Sequence, residues 1–252
     1  MKRMLYFFIE QSTVGEPQLL ITGSDARHIR TVLRLKPGDK IGLFDGRGFE
    51  YQARIVAVSA GSIEVSVLQR YPATAESPVQ IIVGQAFLKA KKMDRLVRQL
   101  TELGISKWTP FFAKRSVPRP SKQNLSARRK RWEKISKEAL KQCKRGCVTA
   151  IGETTTFKEV LNQSQACDIK IVFWENESEP VSAPLPGSER QIEKIFVLLG
   201  PEGGFTAKEI EQARAQGFIT AALGPRILRA ETATLAACVL LQYLYGDVGK
   251  KW

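Results

Sequence analysis

Residues 195–209 read Ile195-Phe196-Val197-Leu198-Leu199-Gly200-Pro201-Glu202-Gly203-Gly204-Phe205-Thr206-Ala207-Lys208-Glu209. Five apolar residues in a row predict a strand buried on both faces, as parallel sheets require. Thr206 and Glu209 carry the spacing of a capping box, so a helix is expected to open at Thr206 and run to Gln216. Between strand and helix, Gly200, Gly203 and Gly204 let backbone amides come close to a ligand, and Pro201 stiffens the turn. In open α/β sheets ligands bind beyond the carboxyl ends of the strands. The spacing is neither the dinucleotide fingerprint nor a phosphate loop, which counts against a nucleotide-dependent hydrolase. A tight connection with no ligand is the alternative reading of the same glycines.

The pattern repeats outward. Residues 79–87 predict a buried strand, and residues 91–103 a helix with Met93, Leu96, Val97, Leu100 and Leu103 at helical spacing, capped by Gly104. A strand at 105–112 and a basic loop at 118–123 follow, and Asn124 or Ser126 is expected to open a helix that runs to about Cys143. Residues 169–174 predict another strand, and 175–193 a polar connection. A short strand at 219–223 leads through Leu223-Gly224-Pro225-Arg226-Ile227-Leu228-Arg229-Ala230-Glu231-Thr232 into an apolar helix at 232–245. Strands alternating with helices imply a parallel α/β sheet. Arg229, Glu231 and Thr232 fall at a helix N-terminus, where free amides favour anions. Glu231 could equally complement the helix dipole, and Arg226 could be a plain surface residue.

The first 70 residues read differently. The turn Pro37-Gly38-Asp39 precedes a strand at 40–44, and Asp45-Gly46-Arg47-Gly48 predicts a hairpin. Phe49, Tyr51, Ala53, Ile55 and Ala57 alternate, then Ile63, Val65 and Val67, as in a small antiparallel β-barrel. Residues 5–9 read as a first strand, and residues 27–35 as a short helix with Arg27, Arg30 and Arg34 on one side. Residues 71–78, with two prolines, read as a linker, which divides the chain into domains at 1–72 and 73–252.

Charge narrows the partners. The chain carries a net +14, and residues 89–145 hold 19 Lys and Arg against 4 Asp and Glu, so this stretch accounts for the whole excess. Scattered charge would serve solubility equally well; clustered charge fits a polyanion. No segment reaches the roughly 18 apolar residues of a membrane span, and residues 1–10 lack the features of a secretory signal. Cys143, Cys147, Cys167 and Cys238 form no disulfide framework, which implies a reduced, cytoplasmic protein. Cys143 and Cys147 could share a helix face, but two ligands make no zinc site. His28 is the only histidine, so no metal site is expected and a serine hydrolase would hang on that residue alone.

Four segments, in their order and spacing, resemble the RsmE family of 16S rRNA uridine-N3 methyltransferases, within the SPOUT superfamily. They are His28-Ile29-Arg30-Thr31-Val32-Leu33-Arg34 with Phe44-Asp45-Gly46; Lys91-Lys92-Met93-Asp94 leading to Thr101-Glu102-Leu103-Gly104; residues 199–205; and residues 223–233. The resemblance spans nearly the whole chain. It implies an N-terminal PUA-like β-barrel, a C-terminal SPOUT α/β domain with a trefoil knot, a homodimer, and S-adenosyl-L-methionine (SAM) as cofactor. It places SAM among Leu199, Gly200, Pro201, Glu202, Gly203 and Gly204, the loop Leu223, Gly224, Arg226, Ile227 and Leu228, and Trp174 with Glu175. The implied substrate is uridine 1498 of 16S rRNA, in the 30S subunit. Three positions depart from the family pattern. Ala230 replaces a threonine, Lys141 replaces the glutamate of an E-Q-S-G-R segment, and Ala90 replaces a glycine.

Methylating N3 of uridine requires loss of its proton. Arg229 is the candidate to stabilise the developing anion and Glu231 the candidate to take the proton. Arg30, Arg34, Lys89, Lys92, Lys114 and Arg115 are the candidates for holding RNA phosphates. Two rivals share parts of this pattern: a SPOUT enzyme methylating ribose 2′-oxygen, and a non-enzymatic RNA-binding assembly protein.

Overall fold

The computed structural model describes residues 4–9, 18–89, 92–117, 119–181 and 192–250. Expectations that touch Met1 to Arg3, Glu10, Ala90, Lys91, Pro118 and residues 182–191 lie outside the described residues. The chain divides into two compact units: Met1–Glu76 with Leu140–Val148, and Ser77–Ala139 with Thr149–Trp252.

The first unit is a five-stranded sheet of β1 (Tyr6–Phe8), β2 (Gln18–Thr22), β3 (Lys40–Phe44), β4 (Phe49–Val58) and β5 (Ser62–Pro72), in the order β1-β3-β4-β5-β2. All neighbours are antiparallel except β1 and β3. Two register shifts between β4 and β5, at Gln52/Ala53 and Ile55/Ala57, curl the sheet around Leu19, Ile41, Leu43, Tyr51, Ile55, Ile63 and Val65. The β3–β4 hairpin is tied by Asp45, whose carboxylate accepts from the N–H of Arg47 (2.8 Å) and the hydroxyl of Tyr51 (3.0 Å).

Three expectations in this unit are corrected. α1 (Gly23–Arg27) opens the helix four residues earlier than expected and continues as a π-helical stretch, His28–Leu33. Arg34 has φ 52°, in the left-handed region, so it ends that helix and does not share a face with Arg27 and Arg30. Cys147 lies beyond the helix that ends at Cys143, bridged to Arg47, so the two cysteines share no helix face. Lys141, the departure from the family's glutamate, pairs with both carboxylate oxygens of Asp25 at 3.0 Å.

The second unit is a parallel sheet with helices on both faces. Its strands are β6 (Gln80–Ala86), β7 (Lys107–Phe112), β8 (Ala150–Ile151), β9 (Thr155–Thr156), β10 (Ile169–Phe173), β11 (Lys194–Leu199) and β12 (Ile219–Ala221). The order is β12-β10-β11-β6-β7-β8, with β9 also beside β7. Strand β11 shows why its sequence is apolar throughout. Ile195, Val197 and Leu199 face the core that includes α2 (Lys92–Glu102) and α6 (Ala230–Leu244). Phe196 and Leu198 face the core that includes α4 (Phe157–Asn162) and α5 (Ala207–Ala215).

The helix ends follow local rules. α2 closes on Gly104 (φ 80°), with the N–H of Ile105 bonded to the carbonyl of Leu100 (3.1 Å) and that of Gly104 to Thr101 (3.2 Å). α3 (Lys122–Cys143) opens at Lys122, earlier than Asn124 or Ser126, because the Ser121 hydroxyl caps the N–H of Asn124 (3.5 Å). It buries Trp132 edge-on to Trp108, with ring centroids 5.0 Å apart. Helix α4 was not expected, although Thr156 and Glu159 form the same capping box as Thr206 and Glu209. At α5 the Glu209 carboxylate accepts from the N–H of Thr206 (2.9 Å), and the Thr206 hydroxyl accepts from the N–H of Glu209 (3.3 Å). Thr206→Ala is therefore expected to lower stability by about 1 kcal/mol in urea unfolding. An unchanged midpoint would show that the bonds the substitution leaves in place, from the backbone N–H groups of residue 206 and Lys114 to the Glu209 carboxylate, hold the turn.

Candidate active site

Strand order in the second unit reverses around β11: β6, β7 and β8 build in one direction, β10 and β12 in the other. Such a switch point leaves a crevice at the carboxyl edge of the sheet. Here the loops after β10, β11 and β12 and the start of α6 enclose a cleft of about 620 Å³. Its lining includes Trp174 and Glu175; Leu199, Gly200, Pro201, Glu202, Gly203 and Gly204; and Leu223, Gly224, Arg226, Ile227, Leu228 and Arg229. Every residue expected around a cofactor thus faces one cavity, joined by Phe173, Glu177, Pro225, Ala230, Ala233 and Lys92.

The loops are held by main-chain bonds. Trp174 N–H donates to Ala221 carbonyl (3.1 Å), Ala222 N–H to Glu179 carbonyl (2.8 Å), and Gly204 N–H to Pro201 carbonyl (2.9 Å). Gly204 has φ 66°, and a Cβ there would run into the Glu175 carboxylate. Glu177 fixes the loop after β10: its carboxylate accepts from Thr220 hydroxyl (2.5 Å), Arg214 guanidinium (3.2 Å) and Ser178 N–H (3.0 Å). These bonds, led by that of Thr220, hold its carboxyl below the usual range.

Gln85, at the end of β6, is fully buried and carries no signal in an apolar strand. Its amide N–H₂ lies 3.4 Å from the carbonyl of Gly200, and its Oε1 lies 2.7 Å from the hydroxyl of Thr234 in α6. That hydroxyl is also 2.8 Å from the carbonyl of Ala230, so its single proton is shared between two acceptors. Gln85 therefore links the glycine loop to the first turns of α6.

The charged groups are arranged differently from the sequence expectation. Arg229 is the N-cap residue of α6 and its side chain is exposed toward the cleft rim. Glu231 is not in the lining: its carboxylate pairs with the ammonium of Lys92 at 3.1 Å. Lys92 also pairs with Glu202 at 3.0 Å, which with Glu231 keeps its ammonium protonated to higher pH than usual. Burial pushes the Glu231 carboxyl up, but bonds to its own backbone N–H and to Lys92, with the charges of Lys92 and Arg229, bring it below the usual range. Glu202 is lowered in the same way, burial being outweighed by Lys92, its own backbone N–H and that of Lys89.

Of the six cations expected to meet RNA, Arg30 and Arg34 are exposed on the first unit, and Lys89, Lys114 and Arg115 are exposed on loops after β6 and β7. Arg115 also braces the glycine loop, its guanidinium donating to the carbonyl of Gly203 (2.8 Å). Lys92 belongs instead to the cleft. Among the described residues no cluster of His, Cys, Asp and Glu could hold a metal ion, and no helix is long and apolar enough to cross a membrane.

Known proteins share this organisation. The family described as "RNA methyltransferase domain" matches residues 75–242, and the one described as "RNA methyltransferase PUA domain" matches residues 21–68. The chain is 32% identical to ribosomal RNA small subunit methyltransferase E of Bacillus subtilis, over 95% of this chain and 96% of that one. It is 29% identical to the protein of the same name from Buchnera aphidicola of Acyrthosiphon pisum, over 98% and 96%. The crystal structure of a ribosomal RNA small subunit methyltransferase E from Neisseria gonorrhoeae, bound to S-adenosyl methionine, superposes with a TM-score of 0.85 at 29% identity, covering 98% of this chain and 100% of that one. With its PUA-like first unit and SPOUT-type α/β second unit, the chain belongs to the ribosomal RNA small subunit methyltransferase E family.

Proposed function

We propose that the protein transfers a methyl group from SAM to N3 of a uridine, uridine 1498, in 16S rRNA. The observation that carries this reading is the convergence, in one cleft at the switch point of the sheet, of the glycine loop with Arg229, the N-cap of the helix whose first turn holds Glu231. The cleft fits SAM on three counts. Its volume lies within the range of about 300–1,000 Å³ usual for small-ligand sites. Its walls mix apolar Leu199, Leu223, Ile227 and Leu228 with backbone exposed at Gly203 and Gly204. Its Glu175 carboxylate complements a cationic ligand.

SAM, when bound, supplies an electrophilic methyl group on a sulfonium centre. The residues of the chain do the rest. Trp174, Glu175 and the two loops hold and orient the cofactor, Arg229 stabilises negative charge as it grows on a uracil oxygen, and Glu231 accepts the N3 proton. We assign residues 1–72 to RNA binding and residues 73–252 to catalysis, with Arg30, Arg34, Lys89, Lys114 and Arg115 on phosphates. The substrate is 16S rRNA within the 30S subunit. The same reading extends to a trefoil knot around the site and to a homodimer.

Two measurements test the reading. Calorimetric titration with SAM is expected to show saturable binding; no binding would leave an RNA-binding assembly protein. RNA affinity is expected to fall about 500-fold between roughly 50 and 200 mM salt if the five assigned cations each neutralise one phosphate. A flat response would remove the assigned cations from the RNA interface.

A further inference from the structure

We infer that Lys92 is a positioning residue for the methyl transfer, locking the proton acceptor Glu231 to the glycine loop through Glu202. The inference rests on the function proposed above and assigns to it a residue that sequence reasoning had placed on RNA phosphates. The geometry is specific. One ammonium lies 3.0 Å from Glu202 Oε1 and 3.1 Å from Glu231 Oε2. Three segments far apart in the chain, the start of α2, the β11–α5 loop and the first turn of α6, thereby meet at one atom. The three side chains are partly shielded from solvent, at 33%, 27% and 26% exposure. Glu202 Oε1 also accepts from the N–H of Lys89 (3.1 Å), so the loop end of the bridge is itself fixed.

Of the six cations expected to meet RNA, Lys92 alone lines the cleft, and its ammonium is shared by two carboxylates. The bridge acts on Glu231 in two ways. It holds the carboxylate at a fixed place relative to the loop that carries the cofactor, which proton transfer requires. It also keeps the carboxylate ionised, against the partial burial that favours the neutral acid. The groups that bear on Glu231 are Lys92 from α2, Arg229 from the preceding turn, and Glu202 through Lys92. When Glu231 takes the N3 proton, the N3 electron pair forms the bond to the methyl carbon, the carbon–sulfur bond breaks, and sulfur keeps that pair as a neutral thioether. Lys92 then pairs with Glu202 alone.

The test compares Lys92→Met and Lys92→Arg with the wild-type protein and with Glu231→Gln. The titration of Glu231, followed by carbon-13 NMR of the labelled carboxylate in the cofactor-free protein, is expected to move up by about one pH unit in K92M. It is expected to return most of the way in K92R. Single-turnover methylation is expected to fall about tenfold or more in K92M, with its acid limb displaced in the same direction, and SAM affinity to change far less. In the E231Q background K92M is expected to add little. An unmoved Glu231 titration overturns the inference, as does a K92M defect confined to the KM for RNA and equal in both backgrounds. If the wild-type protein methylates no small-subunit rRNA, the functional reading fails, whereas the NMR titration still decides whether Lys92 governs Glu231.

Discussion

Replacing Arg229 with alanine is expected to lower methyl transfer by about 10²- to 10³-fold at saturating SAM, with SAM affinity changed by only about threefold. The reason lies in where the charge appears. Uridine is neutral at N3 in the ground state, and negative charge spreads to its carbonyl oxygens as the proton leaves. A cation poised there acts on the transition state and hardly on the bound cofactor. Arg229 is the N-cap of α6, so the free N–H groups of the first helical turn add their positive potential at the same end. The substitution removes no core contact, because the side chain is exposed. Single-turnover rates and calorimetry on the same preparation measure the two quantities separately. Equal losses in rate and SAM affinity would make Arg229 a cofactor contact.

Replacing Gly204 with valine is expected to weaken SAM binding by about 100-fold and to lower the thermal midpoint by a few degrees, because left-handed strain is borne by the folded chain. Two causes add. The backbone at Gly204 has φ 66°, which a β-branched residue adopts only with strain. A Cβ at this position also meets the Glu175 carboxylate, so the loop after β11 and the loop after β10 must move apart. Both line the cleft, so the displacement falls first on the cofactor surface. Unaltered affinity in this variant, measured by calorimetry, would remove the glycine loop from the cofactor surface.

Residues whose signal is local were legible in the sequence. The apolar run of β11, the helical spacing of α2 with Gly104 behind it, and the capping box at Thr206 and Glu209 each specify their element from neighbours in the chain. Lining residues on the three loops were legible for a related reason, since glycines after a buried strand place backbone at the carboxyl edge of a sheet. Features that depend on contacts across the fold were not. Gln85 is one polar residue in an apolar strand, and its bonds run to Gly200 and Thr234, 115 and 149 positions away. Lys92 sits in a basic stretch whose composition points to nucleic acid, and only the folded chain brings Glu202 and Glu231 to it. Arg34 was placed on a helix face by its spacing, but a left-handed residue ends that helix early. Helix α4 is six residues long, too short for periodicity to register, although Thr156 and Glu159 gave its start.

Base methylation of small-subunit rRNA in this cleft is tested by one incubation: the protein with labelled SAM and unmodified small-subunit rRNA, free and as assembled 30S particles, followed by digestion to nucleosides. Label is expected in 3-methyluridine, with the 30S particle the better substrate and the label lost in the Arg229→Ala protein. Label in a 2′-O-methyl nucleoside, or no label from either RNA, would contradict it.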